Sequence, residues 1–475
     1  MYVNGEWRTA VSSDTFDSTN PATGAVLATV PDGGRADTRE AIDSAVAALP
    51  AWRSRTAYER ADVLTAAHRI MVERRDELAT LMTREQGKPL RMARTEVGYA
   101  ADFLLWFAEE AKRVYGEVIP SARAGQRFIV LQQPVGVCAA ITPWNYPISM
   151  ITRKVAPALA AGCTSVLKPA EQTPLCAIET FRVFADAGVP PGVVNLVTCS
   201  DPAPVADEIL SDPAVRKISF TGSTEVGAMI ASRAGSTMKR VSMELGGHAP
   251  FLVFDDADPE HAAKGAALVK FLNTGQACIC PNRFIVHRSI AETFVATLRA
   301  RVEKLVPGDG LDKATTVGPL IDEAAIDKME RQVADATGKG AEIVSGGVRL
   351  TGPDFDGGCF FAPTILSGVT PDMLICDEET FGPIAPVLVF DDEEEAVKLA
   401  NATTYGLAGY VYTRDISRAI RVAEALDFGM IGINDINPTS AAVPFGGIKQ
   451  SGLGREGARA GLSEYLDTKV LGIAL

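Results

Sequence analysis

Apolar positions in this chain repeat with two different periods, and the two take turns. After Asp37-Thr-Arg-Glu40, residues Ala41, Ile42, Ala45, Val46 and Leu49 recur at helical spacing. The pattern predicts a helix opened by Asp37 and Glu40, at capping-box spacing, and ended by Pro50. Ala61 to Met71 and Leu78 to Glu85 predict two more helices. From residue 134 short apolar runs begin to separate the helical stretches. Val135 to Ile141, Thr164 to Leu167, Val193 to Val197 and Ile218 to Phe220 predict strands, with a helix over Ile148 to Ala161. Strand, crossover helix, strand is the unit of a parallel sheet, so a nucleotide-binding domain is expected here. A second α/β stretch begins near Gly247, includes the runs Pro250 to Phe254 and Phe284 to Val286, and ends near Lys449. The tail Tyr465 to Leu475 alternates enough to be a strand that pairs with another segment or subunit.

Polar groups stand where these runs end. Phe220 is followed by Thr221-Gly222-Ser223-Thr224-Glu225-Val226-Gly227, which opens a helix. Glycines let backbone approach a pyrophosphate, and a helix N-terminus offers free N–H groups. The middle glycine of the usual dinucleotide fingerprint is missing, so an ordinary strand–helix turn would look the same. Lys168-Pro-Ala-Glu171 ends another strand and could hold ribose hydroxyls, or be a solvated charge pair. Trp144 and Asn145 lie in a loop stiffened by Pro143 and Pro147, where an amide could be aimed at an oxyanion or merely cap a turn. Glu244 precedes Gly246-Gly247, and Cys278 sits in Gly275-Gln-Ala-Cys278-Ile-Cys280. A thiolate attacks carbonyls, an amide N–H stabilises the resulting oxyanion, and a carboxylate activates water. Together these roles describe oxidation of an aldehyde to an acid.

Composition narrows the classes. A chain of 475 residues predicts more than one domain. Hydrophobic content of 47% with 22% charge is that of a water-soluble globular protein. The net charge of −13 argues against nucleic acid or an anionic membrane as partner, though not against an anionic small substrate. Neither a basic leader followed by an apolar run nor a membrane-length apolar stretch is seen, so a cytoplasmic protein is expected. The eight cysteines form no CxxC pair and read as reduced thiols, and the four histidines have no metal-site spacing.

Taken in order, these blocks resemble the aldehyde dehydrogenase superfamily over essentially the whole length. The resemblance rests on Pro143-Trp-Asn145, Lys168-Pro-Ala-Glu171, Phe220 to Gly227, Met243-Glu-Leu-Gly-Gly247, Gly275-Gln-Ala-Cys278, Glu378-Glu-Thr-Phe-Gly-Pro383 and Pro444-Phe-Gly-Gly447. It implies an α/β fold: a Rossmann-type NAD-binding domain over 1–115 and 135–246, and a catalytic α/β domain over 247–450. A small β oligomerisation element is implied over 116–134 and 466–475, with 451–465 as the return segment. It implies Cys278 as nucleophile, Glu244 as general base and Asn145, helped by the Cys278 N–H, as oxyanion donor. Trp144, Gly222, Ser223 and Gly227 fall on the pyrophosphate region, Lys168 and Glu171 on the adenosine ribose, and Glu379 with Phe381 on the nicotinamide ribose. NAD is the expected cofactor, with NADP as the alternative. A homo-oligomer, dimer or tetramer, is implied.

Within that superfamily the succinate-semialdehyde dehydrogenase branch is the nearest resemblance. Arg153, eight residues after Asn145, and Ser440 match positions that bind a substrate carboxylate. Arg153 could equally make a structural ion pair. Leu272 stands where that branch carries a further arginine, which leaves open glutarate semialdehyde or a sulfonated aldehyde. His248 and Arg283 are candidate replacement cations, although a packed or solvated turn residue is the commoner fate of a histidine placed like His248. Cys280 is either core packing or the partner of Cys278 in a reversible disulfide, as the branch can form. A CoA-acylating relative or a non-catalytic protein of the same fold is a further alternative, opposed by the presence of Cys278, Glu244 and Asn145.

Overall fold

The computed structural model describes residues 1–475. Its largest sheet runs Gly452–Leu453, Arg240–Glu244, Val215–Thr221, Val137–Ile141, Thr164–Lys168, Val194–Leu196, Tyr2–Val3, Glu6–Trp7. The five central strands are parallel, and the edges are closed by antiparallel strands. Strand Val137–Ile141 is fully buried, as parallel strands covered on both faces must be. From this strand the chain first builds outward through Thr164–Lys168, then returns to add Val215–Thr221 on its other side. The order reverses there, so the loops after Ile141 and Thr221 diverge. Ligands of such sheets bind beyond the carboxyl ends of the strands at that reversal.

The second sheet runs Glu342–Ser345, Thr364–Ser367, Ile384–Phe390, Pro281–His287, Ala249–Val253, Ala408–Tyr412, Met430–Ile433. All its pairs are parallel except the first. Each of these two sheets has its own apolar core. The tail strand Leu466–Ala474 pairs antiparallel with Gln126–Pro134, and Glu117–Pro120 completes a three-stranded sheet. No helix is long and apolar enough to cross a membrane.

Local chemistry shifts some expected boundaries. The first helix spans Arg35–Ser54, so it starts before Asp37 and runs through Pro50. Asp37 sits in its first turn and accepts from Gly34 N at 3.0 Å, taking an otherwise orphaned donor. Pro50 deletes only one N–H in a twenty-residue helix whose buried residues, from Ala41 to Trp52, hold both halves to the core. The second and third helices, Ala57–Glu73 and Arg75–Gln86, extend beyond the apolar stretches that announced them. A genuine capping box opens the second: Thr56 and Glu59 satisfy each other's backbone N–H groups.

Candidate active site

The carboxyl ends of the first sheet face the amino ends of the second. Strand Val137–Ile141 delivers Trp144 and Asn145, Thr164–Lys168 delivers Lys168, Val215–Thr221 delivers Gly222 and Ser223, and Arg240–Glu244 ends on Glu244. From the other side, Gly246 and Gly247 lead into Ala249–Val253, Cys278 into Pro281–His287, and Glu379 with Phe381 into Ile384–Phe390.

Two glycines let neighbouring loops of the second half touch. A Cβ on Gly247 would meet the Cys278 carbonyl oxygen at 2.2 Å, so the turn after Glu244 lies against the cysteine backbone. A Cβ on Gly275 would meet the Gly382 oxygen at 2.2 Å, and Gly275 has φ +77°. Asn273 and Thr274 before it also adopt left-handed backbone, φ 48° and 59°. Such strain is held by its surroundings. Asn273 Nδ2 donates to the Gln276 carbonyl (3.1 Å) and the Asn145 carbonyl (3.0 Å), and Thr274 Oγ1 donates to the Gly318 carbonyl (3.0 Å). Asn145 is aimed by the same web. Its Nδ2 donates to the Gln276 carbonyl at 3.0 Å, and its own carbonyl accepts from Lys88 Nζ at 2.7 Å. One amide hydrogen of Asn145 remains for another acceptor.

Cys278 is only partly buried in the accessible surface, but its sulfur is in a dry setting. Burial pushes its pKa up to about 12, the carboxylates of Glu379 and Glu244 add to the rise, and Arg153 opposes it. Burial thus favours the thiol over the thiolate at this position. Glu244 is 2% exposed, and neither carboxylate oxygen has a hydrogen-bond partner. Burial, then the charge of Glu456, raises its pKa well above the usual range, against Arg153, Lys154 and Arg455. Unbonded carboxylate oxygens cost stability when buried. A site retaining them has a use for them.

The remaining expected residues distribute as follows. Lys168 Nζ pairs with Glu171 Oε2 at 3.0 Å. Ser223 caps helix Thr224–Gly235, its hydroxyl accepting from Val226 N at 3.4 Å. A Cβ on Gly227 would meet Leu245 at 2.2 Å, so this glycine serves close helix packing. Glu379 accepts from Gly247 N at 2.8 Å, and burial pushes its pKa up to about 7. Phe381, at φ 53°, stands edge-on to Trp144 at 5.5 Å. Arg153 is 2% exposed, meets Glu456 Oε2 at 2.9 Å, and lies on the Phe445 ring at 3.9 Å. Ser440 is exposed in a loop and accepts from Ala442 N at 3.2 Å. Cys280 is 1% exposed, its thiol directed to the Lys270 carbonyl at 3.3 Å, and all cysteines are free.

His248 and Arg283 are not available cations. Arg283 is spent on the carbonyls of Leu399, His248 and Ala400 at 2.7–3.0 Å. The His248 ring bonds the Ile375 carbonyl at 3.2 Å, and burial holds its pKa well below the usual value, so it is neutral.

Sequence reasoning passed over four buried charges. Helix Leu90–Ala111 buries Ala93, Val97, Ala100, Leu104 and Phe107, and Glu96 lies on that same face. Glu96 accepts from Ile148 N and Ser149 N at 3.1 and 3.2 Å, capping helix Ser149–Ala161, and pairs with Lys88. That pair fixes the Asn145 loop from below. A charge at an apolar-period position was the available signal. Lys154 joins Glu456 at 2.5 Å and Ser219 Oγ at 3.1 Å, and no local pattern announced that contact.

Comparison with known proteins gives the family. A model of the aldehyde dehydrogenase family matches residues 7–471. A succinate-semialdehyde dehydrogenase [NADP(+)], GabD, of Escherichia coli (strain K12) is 52% identical over 473 residues, covering 100% of this chain and 97% of that protein. A glutarate-semialdehyde dehydrogenase of Pseudomonas putida is 51% identical over 474 residues, covering 100% and 97%. A 3-sulfolactaldehyde dehydrogenase of Pseudomonas putida is 50% identical over 468 residues, covering 98% and 95%. The solved structure of betaine aldehyde dehydrogenase from Staphylococcus aureus in complex with NAD+ superimposes with TM-score 0.97 at 38% identity, covering 100% of this chain and 94% of that one.

Proposed function

Because this chain belongs to the aldehyde dehydrogenase family, we propose that it oxidises a small aldehyde with an anionic tail, succinate semialdehyde foremost, to the acid. Cys278 is the nucleophile, Glu244 the general base and Asn145 the oxyanion donor. The observation that carries this reading is the contact of the Glu244 turn with the Cys278 backbone, beside a buried carboxyl group with no hydrogen-bond partner. Sulfur adds to the aldehyde carbon as the thiol gives its proton to solvent water, and the carbonyl oxygen takes up negative charge. The free amide hydrogen of Asn145 and the Cys278 N–H stabilise that oxygen. The resulting thiohemiacetal becomes a thioester once its hydride has left. Ionised Glu244 then takes a proton from water, the new C–O bond forms, and the C–S bond breaks to release Cys278.

The residues present fit NAD or NADP, which accepts the hydride when bound. Lys168 and Glu171 would hold the adenosine ribose. Trp144, Gly222 and Ser223, with the N-terminus of helix Thr224–Gly235, would hold the pyrophosphate, and Gly227 would let that helix pack closely. Glu379 and Phe381 would hold the nicotinamide ribose. A Cβ on Gly246 would meet Glu379 Oε2 at 2.9 Å, so glycine there keeps the backbone beside that carboxylate open. A carboxylate at Glu171 suits two hydroxyls and repels a 2′-phosphate. The expected result is a higher kcat/KM with NAD than with NADP, and a Glu171→Gln variant shifted toward NADP. The opposite ranking in the parent enzyme would refute the preference.

Arg153 and Ser440 receive the anionic tail. Removing a charged hydrogen bond to an anion costs about 1.5–3 kcal/mol, roughly ten- to a hundredfold in affinity. Arg153→Leu should therefore raise KM for succinate semialdehyde by that factor and leave propanal nearly unchanged. Equal losses on both aldehydes would make Arg153 a structural partner of Glu456 only. Leu272, and relatives that act on glutarate semialdehyde and 3-sulfolactaldehyde, favour a second reading in which another acidic aldehyde is preferred. A panel of these aldehydes, followed by NADH absorbance with and without CoA, ranks them and separates out an acylating reaction.

Cys280 is a switch partner for Cys278 in this reading. Peroxide should inactivate the enzyme and dithiothreitol restore it, while Cys280→Ala loses the recovery as the Cys278 sulfenic acid oxidises further. Full recovery in Cys280→Ala would leave Cys280 as packing, consistent with its contact to the Lys270 carbonyl. The assembly is a homo-oligomer, dimer or tetramer, of a cytoplasmic enzyme. Val118, Ile119, Val470 and Leu471, exposed on the three-stranded sheet, support a contact there.

A further inference from the structure

Next to Cys278 lies a group of buried donors without hydrogen-bond partners in the protein. The Arg153 guanidinium is covered on its face by Phe445 at 3.9 Å, with Phe103 at 5.6 Å. Its Nη2 stands 2.9 Å from Glu456 Oε2 but without hydrogen-bond alignment, and its Nε has no partner. Tyr99 comes from helix Leu90–Ala111, one turn before Phe103, and packs edge-on against that ring at 4.8 Å. The Tyr99 hydroxyl oxygen is buried and also lacks a hydrogen-bond partner. Burial raises its pKa, while the Arg153 charge and the Thr439 hydroxyl pull it back and Cys278 adds to the rise. The phenol thus stays an O–H among Arg153, the cysteine and the loop that carries Ser440. Thr439 is near enough to act on it, yet makes no bond of normal geometry.

A guanidinium offers only donors, and a phenol that stays protonated has a hydrogen to give. Two such groups converging beside a nucleophile suit the far end of an anionic aldehyde. The side chain of Leu272, in the turn before Cys278, offers no donor. We propose that Tyr99 is a specificity-determining residue whose hydroxyl donates to the distal anionic group of the substrate alongside Arg153, supplying the donor that Leu272 does not. The assignment rests on the semialdehyde reading above and adds a residue to it. A neutral O–H adds no second full charge to the subsite, so its demand on the anion is directional, one hydrogen toward one oxygen, and a carboxylate and a sulfonate both meet it.

The test is steady-state kinetics of Tyr99→Phe, which keeps the ring that packs on Phe103. Succinate semialdehyde is compared with butanal, of the same length but neutral. The parent enzyme is measured first. No preference for the anionic aldehyde in the parent would defeat the semialdehyde reading itself, and Tyr99 with it. Given that preference, Tyr99→Phe should raise KM for succinate semialdehyde about tenfold. Its kcat, its KM for butanal and its melting temperature should stay close to the parent's. Binding is read separately through thermal protection by succinate, which should need about tenfold more ligand in the variant. An unchanged KM for the anionic aldehyde, or an equal rise for both aldehydes, would overturn the assignment and leave Tyr99 as packing against Phe103.

Discussion

Glu244→Gln is expected to form NADH in one burst, about one equivalent per site, and then to turn over about 10²–10⁴-fold more slowly than the parent. The amide fills the same space but cannot take a proton from water, so acylation proceeds and the thioester persists. Cys278→Ala should show neither burst nor turnover, because no covalent intermediate forms. Rapid-mixing absorbance at the NADH band distinguishes the two variants. Loss of burst and steady rate by the same factor in Glu244→Gln would contradict its role as the deacylating base. The same carboxyl sets a pH dependence. Burial and Glu456 raise its pKa, so the protonated, inactive form persists to higher pH than in an ordinary glutamate. When deacylation limits, kcat should therefore rise with pH through that ionisation, and Glu244→Gln should flatten the rise.

Asn145→Ala is expected to lower kcat/KM by about 10²–10³, the cost of losing one oxyanion donor. The burst should slow with it, because the amide acts while sulfur adds to the carbonyl. A normal burst with only a slower steady rate would remove Asn145 from that step. Its Nδ2 also ties the Asn145 loop to the Gln276 carbonyl at 3.0 Å, so the variant carries a stability cost too. A melting curve separates the effects. Lys88 and Asn273 still hold the Asn145 backbone carbonyl, and they should keep the loop near its place.

Arg153, Lys154 and Glu456 show why a charged residue's role is hard to read locally. Two cations share one carboxylate that lies about 300 positions away in the chain, as the Lys154–Glu456 separation of 302 shows. Both cations are buried, so each depends on that partner. Arg153→Leu tests tail binding only with a neutral aldehyde beside it, because a purely structural loss through Glu456 would affect both substrates alike.

Much of the site was legible in the residues because its parts are local. Apolar runs ending before Asn145, Lys168 or Gly222 are strands with polar groups at their carboxyl ends, and a short apolar run suffices to see that. Cys278 with its glycine, and the family resemblance, named the chemistry. The helix Leu90–Ala111 went unread, and Glu96 on its buried face gained meaning only when the N-terminus of Ser149–Ala161 arrived above it. Pro50 looked like a stop and is a residue inside a helix, because packing on both sides outweighs one lost hydrogen bond. His248 and Arg283 were candidate cations only, and tertiary contacts bury the histidine as a packed residue and engage the Arg283 Nη groups with backbone carbonyls. Chain order fixes which groups exist and which element carries them. Desolvation, charge pairing and the direction of a donor depend on whatever lies within a few ångströms, from any part of the chain, and only the folded structure decides that.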